Sequence, residues 1–352
     1  MKTVLIIGAG LTRSAHPKNG SKKRPPLDAD FFDIARLVDK NLTNKVLECL
    51  TSLVGDYAKV LSSSFETAST YLYIKAIDSK PGSTYHHGFL NLLTLLNLVL
   101  SETTNSLKTS PQSIIYRFLL SELKKQGLKK PSDFSIITFN YDLLLERTLE
   151  AVDLNGHSGT FSFPGCYRLE GITKISSIEG AEQFNSQSLD HEGVAIFKLH
   201  GSMNWHSKHK STAPMPKTMF NTEREIHLHN SPIIFKDLVW KPNQRRVYMK
   251  PVIVPPVSGK RGMIHQDLLG LWSKAAKALA QADRVVIAGY SCPPLDLEAR
   301  ILLSENLRAN PDKRVYVIDP SPQTATRFTE LCGVDLITIY KSIEAWVRDK
   351  RP

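Results

Sequence analysis

The stretch Ile136–Asp142, with the sequence IITFNYD, constrains the fold more than any other part of the chain. Its apolar first half is typical of a strand that is buried on both faces, as in a parallel sheet. Its second half ends in Asn140 and Asp142, and open α/β sheets bind their ligands at the carboxyl edge of the strands. The stretch therefore predicts a buried parallel strand that brings an amide and a carboxylate to a ligand cleft.

Four other apolar runs have strand character and end in glycine, histidine, hydroxyl or acidic residues. They are Thr3–Ile7 before Gly8, Ala9 and Gly10; Gly193–Leu199 before His200 and Gly201; Arg284–Ala288 before Gly289 and Ser291; and Arg314–Ile318 before Asp319. Amphipathic helical patterns separate these runs along the chain. We therefore predict an α/β fold with a doubly wound, Rossmann-like parallel sheet, whose strand ends share one cleft.

Three segments fall outside the strand–helix alternation. Residues 29–130 have apolar positions at three- and four-residue spacing, which predicts a helical insertion. Residues 203–250 are predicted to form a hairpin or loop excursion, and residues 1–352 together are expected to form a single domain. The basic, proline-containing stretch Leu11–Asp28 is predicted to be a loop over the cleft, with no helix directly after the first strand.

The chain is basic, with a formal net charge of +11, and part of this charge is concentrated in two stretches. These are residues 13–24 and residues 241–250. Three explanations remain open: a solvated surface, attraction of a polyanion such as a dinucleotide pyrophosphate or a nucleic acid, and an acidic protein partner.

The four cysteines are far apart in sequence and form no CxxC pair. This spacing predicts neither a zinc ribbon nor a disulfide framework, so no metal site is expected. No apolar run is long enough to cross a membrane, and the first residues lack the pattern of a signal peptide. We therefore expect a cytoplasmic protein.

Each strand end also has a purely structural interpretation. Glycines after a strand permit a tight turn as readily as the close approach of a phosphate. A single histidine is often structural, although His200 is placed well for a general base. Asp319 is equally suited to bond a ribose hydroxyl and to cap a helix.

The order of these motifs resembles that of the sirtuins. The chain has Gly8-Ala9-Gly10, then Asn140-Tyr141-Asp142 in place of an Asn-Ile-Asp motif, then His200-Gly201, then Gly289-Tyr290-Ser291. It lacks the two CxxC pairs of the sirtuin zinc ribbon and the Pro-Asp-Phe-Arg motif. The zinc-free pattern KLHGSxxW with GYSxPxxD is similar to the sirtuin-like NAD-hydrolysing effectors of bacterial antiphage defence. It is similar in particular to the subunit paired with a HerA-type ATPase.

This resemblance implies an NAD+ nucleosidase that releases nicotinamide and ADP-ribose and depletes NAD during infection. It also implies a homo-oligomer and a HerA-type partner. Asn140 would orient the ribose or the attacking water, Asp142 would hold the carboxamide or face the developing positive charge, and His200 would be the general base. The remaining candidates would bind NAD+: Gly8, Ala9, Gly10 and Thr12 at the pyrophosphate, with Gly289, Ser291 and Asp319 towards the adenosine half.

Three alternatives remain. A protein deacylase would use the same sheet, although the missing zinc cysteines count against it. A non-catalytic module would bind NAD or ADP-ribose without turnover. Nucleic-acid contact through the basic loops would add to any of these functions and would depend steeply on salt.

Overall fold

A computed structural model provides the structure of the chain. It describes residues 1–17, 20, 22–80, 82–125, 133–156, 161–163, 165–169, 174–177, 183–184, 193–208, 225–228, 232, 234, 239–240, 247–254, 266–294, 296–310, 312–333 and 338–349. No helix in this part of the chain combines the length and the apolar character that crossing a bilayer requires.

Along the described chain, helices follow one another between the first two strands, strands follow one another from the third to the ninth, and the two kinds of element alternate from the ninth helix onward. The strands are β1 (Thr3–Ile7), β2 (Phe134–Thr138), β3 (Lys174–Ser177), β4 (Gln183–Phe184), β5 (Ala195–Lys198), β6 (Gly201–Lys208), β7 (Glu225–Leu228), β8 (Val239–Trp240), β9 (Val247–Ile253), β10 (Arg284–Ala288), β11 (Arg314–Ile318) and β12 (Thr338–Tyr340). The helices are α1 (Ala9–Ser14), α2 (Phe31–Val38), α3 (Lys40–Val54), α4 (Ala58–Leu61), α5 (Phe65–Ile77), α6 (Thr84–Thr104), α7 (Ile114–Lys125), α8 (Leu144–Leu154), α9 (Gln266–Gln281), α10 (Leu297–Leu307), α11 (Pro322–Cys332) and α12 (Ile343–Arg348).

The main sheet has six parallel strands in the order β5-β2-β1-β10-β11-β12. When the six strands of this sheet are numbered by their order in the sequence, the arrangement is 3-2-1-4-5-6, which is the Rossmann order. The strand order reverses between β1 and β10. Every residue of β1 and β10 is buried, as expected for central strands covered by helices on both faces. The predicted doubly wound α/β fold is confirmed.

Helices α2 to α7 lie between β1 and β2 in the sequence. They contribute much of the buried apolar core, because α2, α3 and α5 all pack against the long helix α6. The side chains at this centre, such as Leu72, Phe89, Leu92 and Leu96, are almost fully buried.

A helix follows β1 directly, so the prediction of a loop from Leu11 is wrong at its start. Gly8 is the N-cap of α1, which extends over Ala9–Ser14. Six residues are too few to display helical periodicity in a sequence window, which is why the pattern was missed. From the last turn of α1, the Arg13 guanidinium reaches the stretch that follows: it pairs with the Asp30 carboxylate and donates to the Pro25 carbonyl. Residues 18, 19 and 21 of this stretch lie outside the described residues.

A second, mostly antiparallel sheet was not predicted. Its order is β4-β3-β7-β6-β9-β8, and β6 pairs with β9 from Gly201 opposite Ile253. Residues 209–224 and 241–246, which belong to the predicted excursion, lie outside the described residues. The chain passes from β5, an edge strand of the main sheet, into β6 through Leu199 and His200 alone.

The turns after β1 and β10 are in direct backbone contact at the carboxyl edge. The Gly10 N–H donates to the Gly289 carbonyl at 2.9 Å. Gly289 has φ +62°, and a Cβ there would lie 2.3 Å from the Leu11 amide nitrogen and 2.6 Å from the Gly10 carbonyl carbon. This close approach requires glycine, because an added methyl group would meet rigid backbone on the opposite turn.

We expect Gly289→Ala to lower the free energy of unfolding by about 2–5 kcal/mol. A left-handed conformation costs an alanine about 1–2 kcal/mol, and overpacking adds about 1–3 kcal/mol. Gly55→Ala is the matched control, because Gly55 has φ +58° but nothing within 4 Å of its added Cβ. Urea unfolding measures both variants. Equal losses in the two variants would contradict a steric role for the contact between the turns.

Candidate active site

Thr12, Asn140 and Asp142 form a chain of hydrogen bonds at the carboxyl edge of β1 and β2. The Asn140 amide Nδ2 donates to Thr12 Oγ1 at 3.1 Å, and Thr12 Oγ1 donates to Asp142 Oδ2 at 2.9 Å. The other Asp142 oxygen accepts the Leu144 N–H at 3.0 Å, at the start of α8. Both carboxylate oxygens are therefore fixed, and the half-buried Asn140 side chain is held in one orientation.

A buried polar network lies under this group. The Lys198 ammonium, on β5, donates to the Asp142 carbonyl at 2.6 Å and to Glu146 Oε1 at 3.0 Å. Tyr167 donates to the same Glu146 oxygen at 3.0 Å. The Lys198 and Glu146 side chains are 1% and 0% exposed, so the ion pair is fully desolvated. It fixes the backbone of the turn that carries Asn140 and Asp142.

His200 follows β5 and lies among aromatic rings beside the same turn. The Phe139 ring meets the imidazole edge-on, with 5.1 Å between centroids, and Tyr141 lies 6.3 Å away. Trp272, on α9, approaches from another side at 6.4 Å. Because β2 and β5 are adjacent and parallel, the Leu199 N–H donates to the Thr138 carbonyl. The two strand ends therefore carry the Asn140 turn and His200 side by side.

Asp296, the last residue of the GYSxPxxD pattern, contacts His200, a contact that the sequence analysis did not predict. Its Oδ2 lies 3.4 Å from His200 Nε2 and accepts the Tyr290 hydroxyl at 3.0 Å. Burial, and then the charge of Asp296, raise the pKa of Tyr290 well above its ordinary value. Tyr290 therefore remains a protonated donor at neutral pH.

Carboxylate charges act on Tyr141 in this part of the cleft. Burial raises the pKa of Tyr141 well above its ordinary value, and the charges of Asp296, Glu66 and Asp28 raise it further. Glu66 lies in the first turn of α5, and its N–H donates to Asp28 Oδ1 at 2.8 Å. An environment of this sign favours a ligand group that carries or develops positive charge.

The glycine turn after β1 is explained in large part by packing. A Cβ on Gly8 would lie 2.4 Å from the Gly289 carbonyl oxygen, and one on Gly10 would lie 2.9 Å from the same oxygen. The Gly8 N–H donates to the Ala288 carbonyl at 3.1 Å, and Gly10 donates to Gly289. Ala9 is exposed at the edge of the cleft. The close contacts of these three glycines thus join the turn after β1 to the turn after β10, at the point where the strand order reverses.

Ser291 and Asp319 lie farther along the edge, after β10 and β11. Ser291 is exposed, and its carbonyl accepts a hydrogen bond from Arg327. The Asp319 carboxylate accepts the Ser321 N–H at 2.8 Å, just before α11. This contact is a local turn bond, and the N-cap of α11 is Ser321 rather than Asp319. The hydrogen bonds described for these two residues do not join them to the cluster around His200.

Within the described residues, histidine, cysteine and carboxylate side chains nowhere form a group of three or more that could hold a metal ion.

Sequence reasoning missed the second set of polar residues around these side chains. A lysine in the buried run AIFK was a usable signal for Lys198, because a buried ammonium requires a partner. Asp296 precedes a helix after two prolines, a context that predicts an N-cap, so its orientation towards His200 required the structure.

Comparisons with known proteins add the following. A model of the SIR2-like domain family matches residues 135–337. No curated protein matches the chain. Among solved structures, a Sir2 mutant with a p53 peptide and NAD is 13% identical, with a TM-score of 0.36, and the match covers 99% of this chain and 90% of that chain. A Sir2 homologue mutant in complex with ADP-ribose is 12% identical, with a TM-score of 0.40, and the match covers 98% of this chain and 88% of that chain.

These TM-scores are too low to transfer any residue's role from those structures. The family model, in contrast, spans more than half of the chain, from within β2 to the residues before β12. It includes the turns that carry Asn140, His200 and Asp296. The chain belongs to the SIR2-like domain family.

Proposed function

We propose that the chain binds NAD+ at the carboxyl edge of its parallel sheet and hydrolyses the bond between nicotinamide and ribose. The observation that carries this proposal is the hydrogen-bonded group of Thr12, Asn140 and Asp142 beside His200, in a chain of the SIR2-like family. The products are nicotinamide and ADP-ribose.

The chemistry requires three contributions that these side chains are suited to make. As the bond from C1′ to the nicotinamide nitrogen breaks, its electron pair goes to nicotinamide and positive charge develops on the ribose. The carboxylate of Asp142 stabilises that charge. Asn140 offers a donor and an acceptor to orient the ribose or the attacking water. His200 accepts the proton that the water loses when its oxygen bonds to C1′.

The rest of the dinucleotide is assigned by sequence resemblance. The turn at Gly8, Ala9 and Gly10 is proposed for the pyrophosphate, and Gly289, Ser291 and Asp319 for the adenosine half. Thr12 is proposed to act through Asn140 and Asp142, because its hydroxyl is hydrogen-bonded to both.

The biological role is proposed from the same resemblance. In this role, the chain depletes cellular NAD in the cytoplasm during phage infection, as a homo-oligomer assembled with a HerA-type ATPase. The net charge of +11 supports an additional nucleic-acid contact through the basic loops, with steep salt dependence as its signature.

The direct test is to incubate the protein with NAD+, alone and with the HerA-type ATPase, and to quantify nicotinamide and ADP-ribose by chromatography. We expect equal amounts of the two products, formed without any peptide. Nicotinamide release that requires an acyl-lysine peptide would contradict hydrolysis and support a deacylase. Binding of NAD+ without turnover in the assembled state would instead support a non-catalytic module.

A further inference from the structure

The Asp296 carboxylate is not used as a helix cap, although Asp296 occupies the N-cap position of α10. An aspartate there ordinarily accepts an N–H from the first turn of the helix. In this chain the side chain makes no such bond, and only the Asp296 backbone carbonyl accepts the Arg300 N–H. Asp296 is 1% exposed. A carboxylate this deeply buried requires specific partners, because its desolvation is costly.

Two of those partners are Tyr290 and His200, and both meet the same oxygen. Tyr290 donates its hydroxyl to Oδ2 at 3.0 Å, and His200 Nε2 lies 3.4 Å from Oδ2. An ionised carboxylate can only accept hydrogen bonds, so the nitrogen that faces it has to be the one that carries a proton. In neutral His200 this geometry places the proton on Nε2 and leaves the lone pair on Nδ1.

The aromatic rings restrict the imidazole to this arrangement. Phe139 stacks on the Tyr290 ring, with 4.3 Å between centroids and 19° between planes. The same Phe139 ring meets His200 edge-on at 62°. Tyr290 and Phe139 thus form one packed unit that supports both the carboxylate and the imidazole.

We propose that Asp296 is a positioning residue for His200, which fixes the ring orientation and keeps the proton on Nε2. This inference rests on the proposed function for its effect on turnover. When water attacks C1′, its proton passes to His200 Nδ1 and its oxygen forms the new bond. Asp296 then faces the resulting imidazolium and stabilises its charge. The proton leaves His200 for solvent after the products form.

The test combines NMR spectroscopy with kinetics on the wild-type chain, Asp296→Asn and the control Asp283→Asn. Asp283 is an exposed aspartate at the opposite edge of the sheet, where it accepts the Lys2 N–H. The ¹⁵N shifts of the His200 ring, identified by their loss in His200→Ala, report which nitrogen carries the proton once the ring is neutral. This measurement requires no NAD+. The kinetics follow nicotinamide release by the chain assembled with its ATPase.

We expect the wild type and Asp283→Asn to show the proton on Nε2. In Asp296→Asn the amide can present its NH₂ group to Nε2, so we expect the Nδ1–H tautomer to increase. We also expect kcat to fall roughly 10²–10⁴-fold, with KM changing less than about 3-fold, because the side chain acts on the base rather than on binding.

The outcomes separate this inference from the function on which it rests. A wild-type ring with its proton on Nδ1, or an Asp296→Asn chain with wild-type kcat, would overturn the role of Asp296. A chain that never hydrolyses NAD+ would overturn the proposed function. The tautomer of His200 would still show whether Asp296 keeps the proton on Nε2. Tyr290→Phe provides a second variant that keeps the aromatic ring. It should produce a smaller change of the same kind.

Discussion

His200→Ala should lower the rate of nicotinamide release by roughly 10²–10⁴-fold, because it removes the group proposed to accept the proton of the attacking water. Asn140→Ala should cost roughly 10²–10³-fold, since a preorganised hydrogen-bonding group is lost beside the reacting carbon. The two side chains differ in burial. Asn140 is half-buried, whereas the His200 imidazole is buried among aromatic rings, so the folding of His200→Ala has to be verified directly.

The controls for these two variants are matched in residue type. His87 is an exposed histidine on α6, and Asn41 is an exposed asparagine on α3. His87→Ala and Asn41→Ala should therefore retain the wild-type rate. Near-ultraviolet circular dichroism verifies the packing of all four variants, and nicotinamide is measured with the ATPase complex assembled. A folded His200→Ala chain that turns over NAD+ at the wild-type rate would remove His200 from the mechanism.

Lys198→Met should lower the free energy of unfolding by about 3–5 kcal/mol. Removing one partner of a buried ion pair leaves the other charge without compensation in a low-dielectric interior. Here the group left with an uncompensated charge is Glu146, whose side chain is fully buried. The substitution also removes the donor that holds the Asp142 carbonyl, so catalytic activity should fall together with stability.

A second substitution separates charge burial from packing. In Lys198→Met combined with Glu146→Gln, the uncompensated charge is gone, and we expect much of the lost stability to return. Lys59→Met is the surface control, because its pair with Asp56 is 86% and 99% exposed and should contribute little. Urea unfolding measures all three. A loss below about 1 kcal/mol in Lys198→Met would contradict a structural role for the buried pair.

The parallel sheet was predictable because its central strands are short apolar runs with clear boundaries. Thr3–Ile7, Arg284–Ala288 and Arg314–Ile318 begin and end in the structure at the predicted residues. Such runs need no partner to be recognised, since burial on both faces requires apolar residues at every position. The order of the polar strand ends then indicated a shared cleft.

The features that were missed depend on contacts between distant parts of the chain. The second sheet is built from strands as short as two residues, such as Val239–Trp240, whose pairing a local pattern does not define. Asp296 and His200 are almost one hundred positions apart in the sequence, and only the fold brings them together. Lys198 was visible as a charge in an apolar run, but its partner Glu146 lies on a different element.

The position of His200 between the two sheets has a mechanical consequence. The imidazole is anchored to the main sheet through Leu199, while the His200 carbonyl accepts the Val254 N–H from the end of β9 at 2.8 Å. Tyr141 adds a bond from the Asn140 turn to the Val254 carbonyl at 3.0 Å. A displacement of β6 and β9 relative to the main sheet would therefore move His200 and the Asn140 turn together. The second sheet is thus connected by hydrogen bonds to both of the turns that carry the candidate catalytic residues.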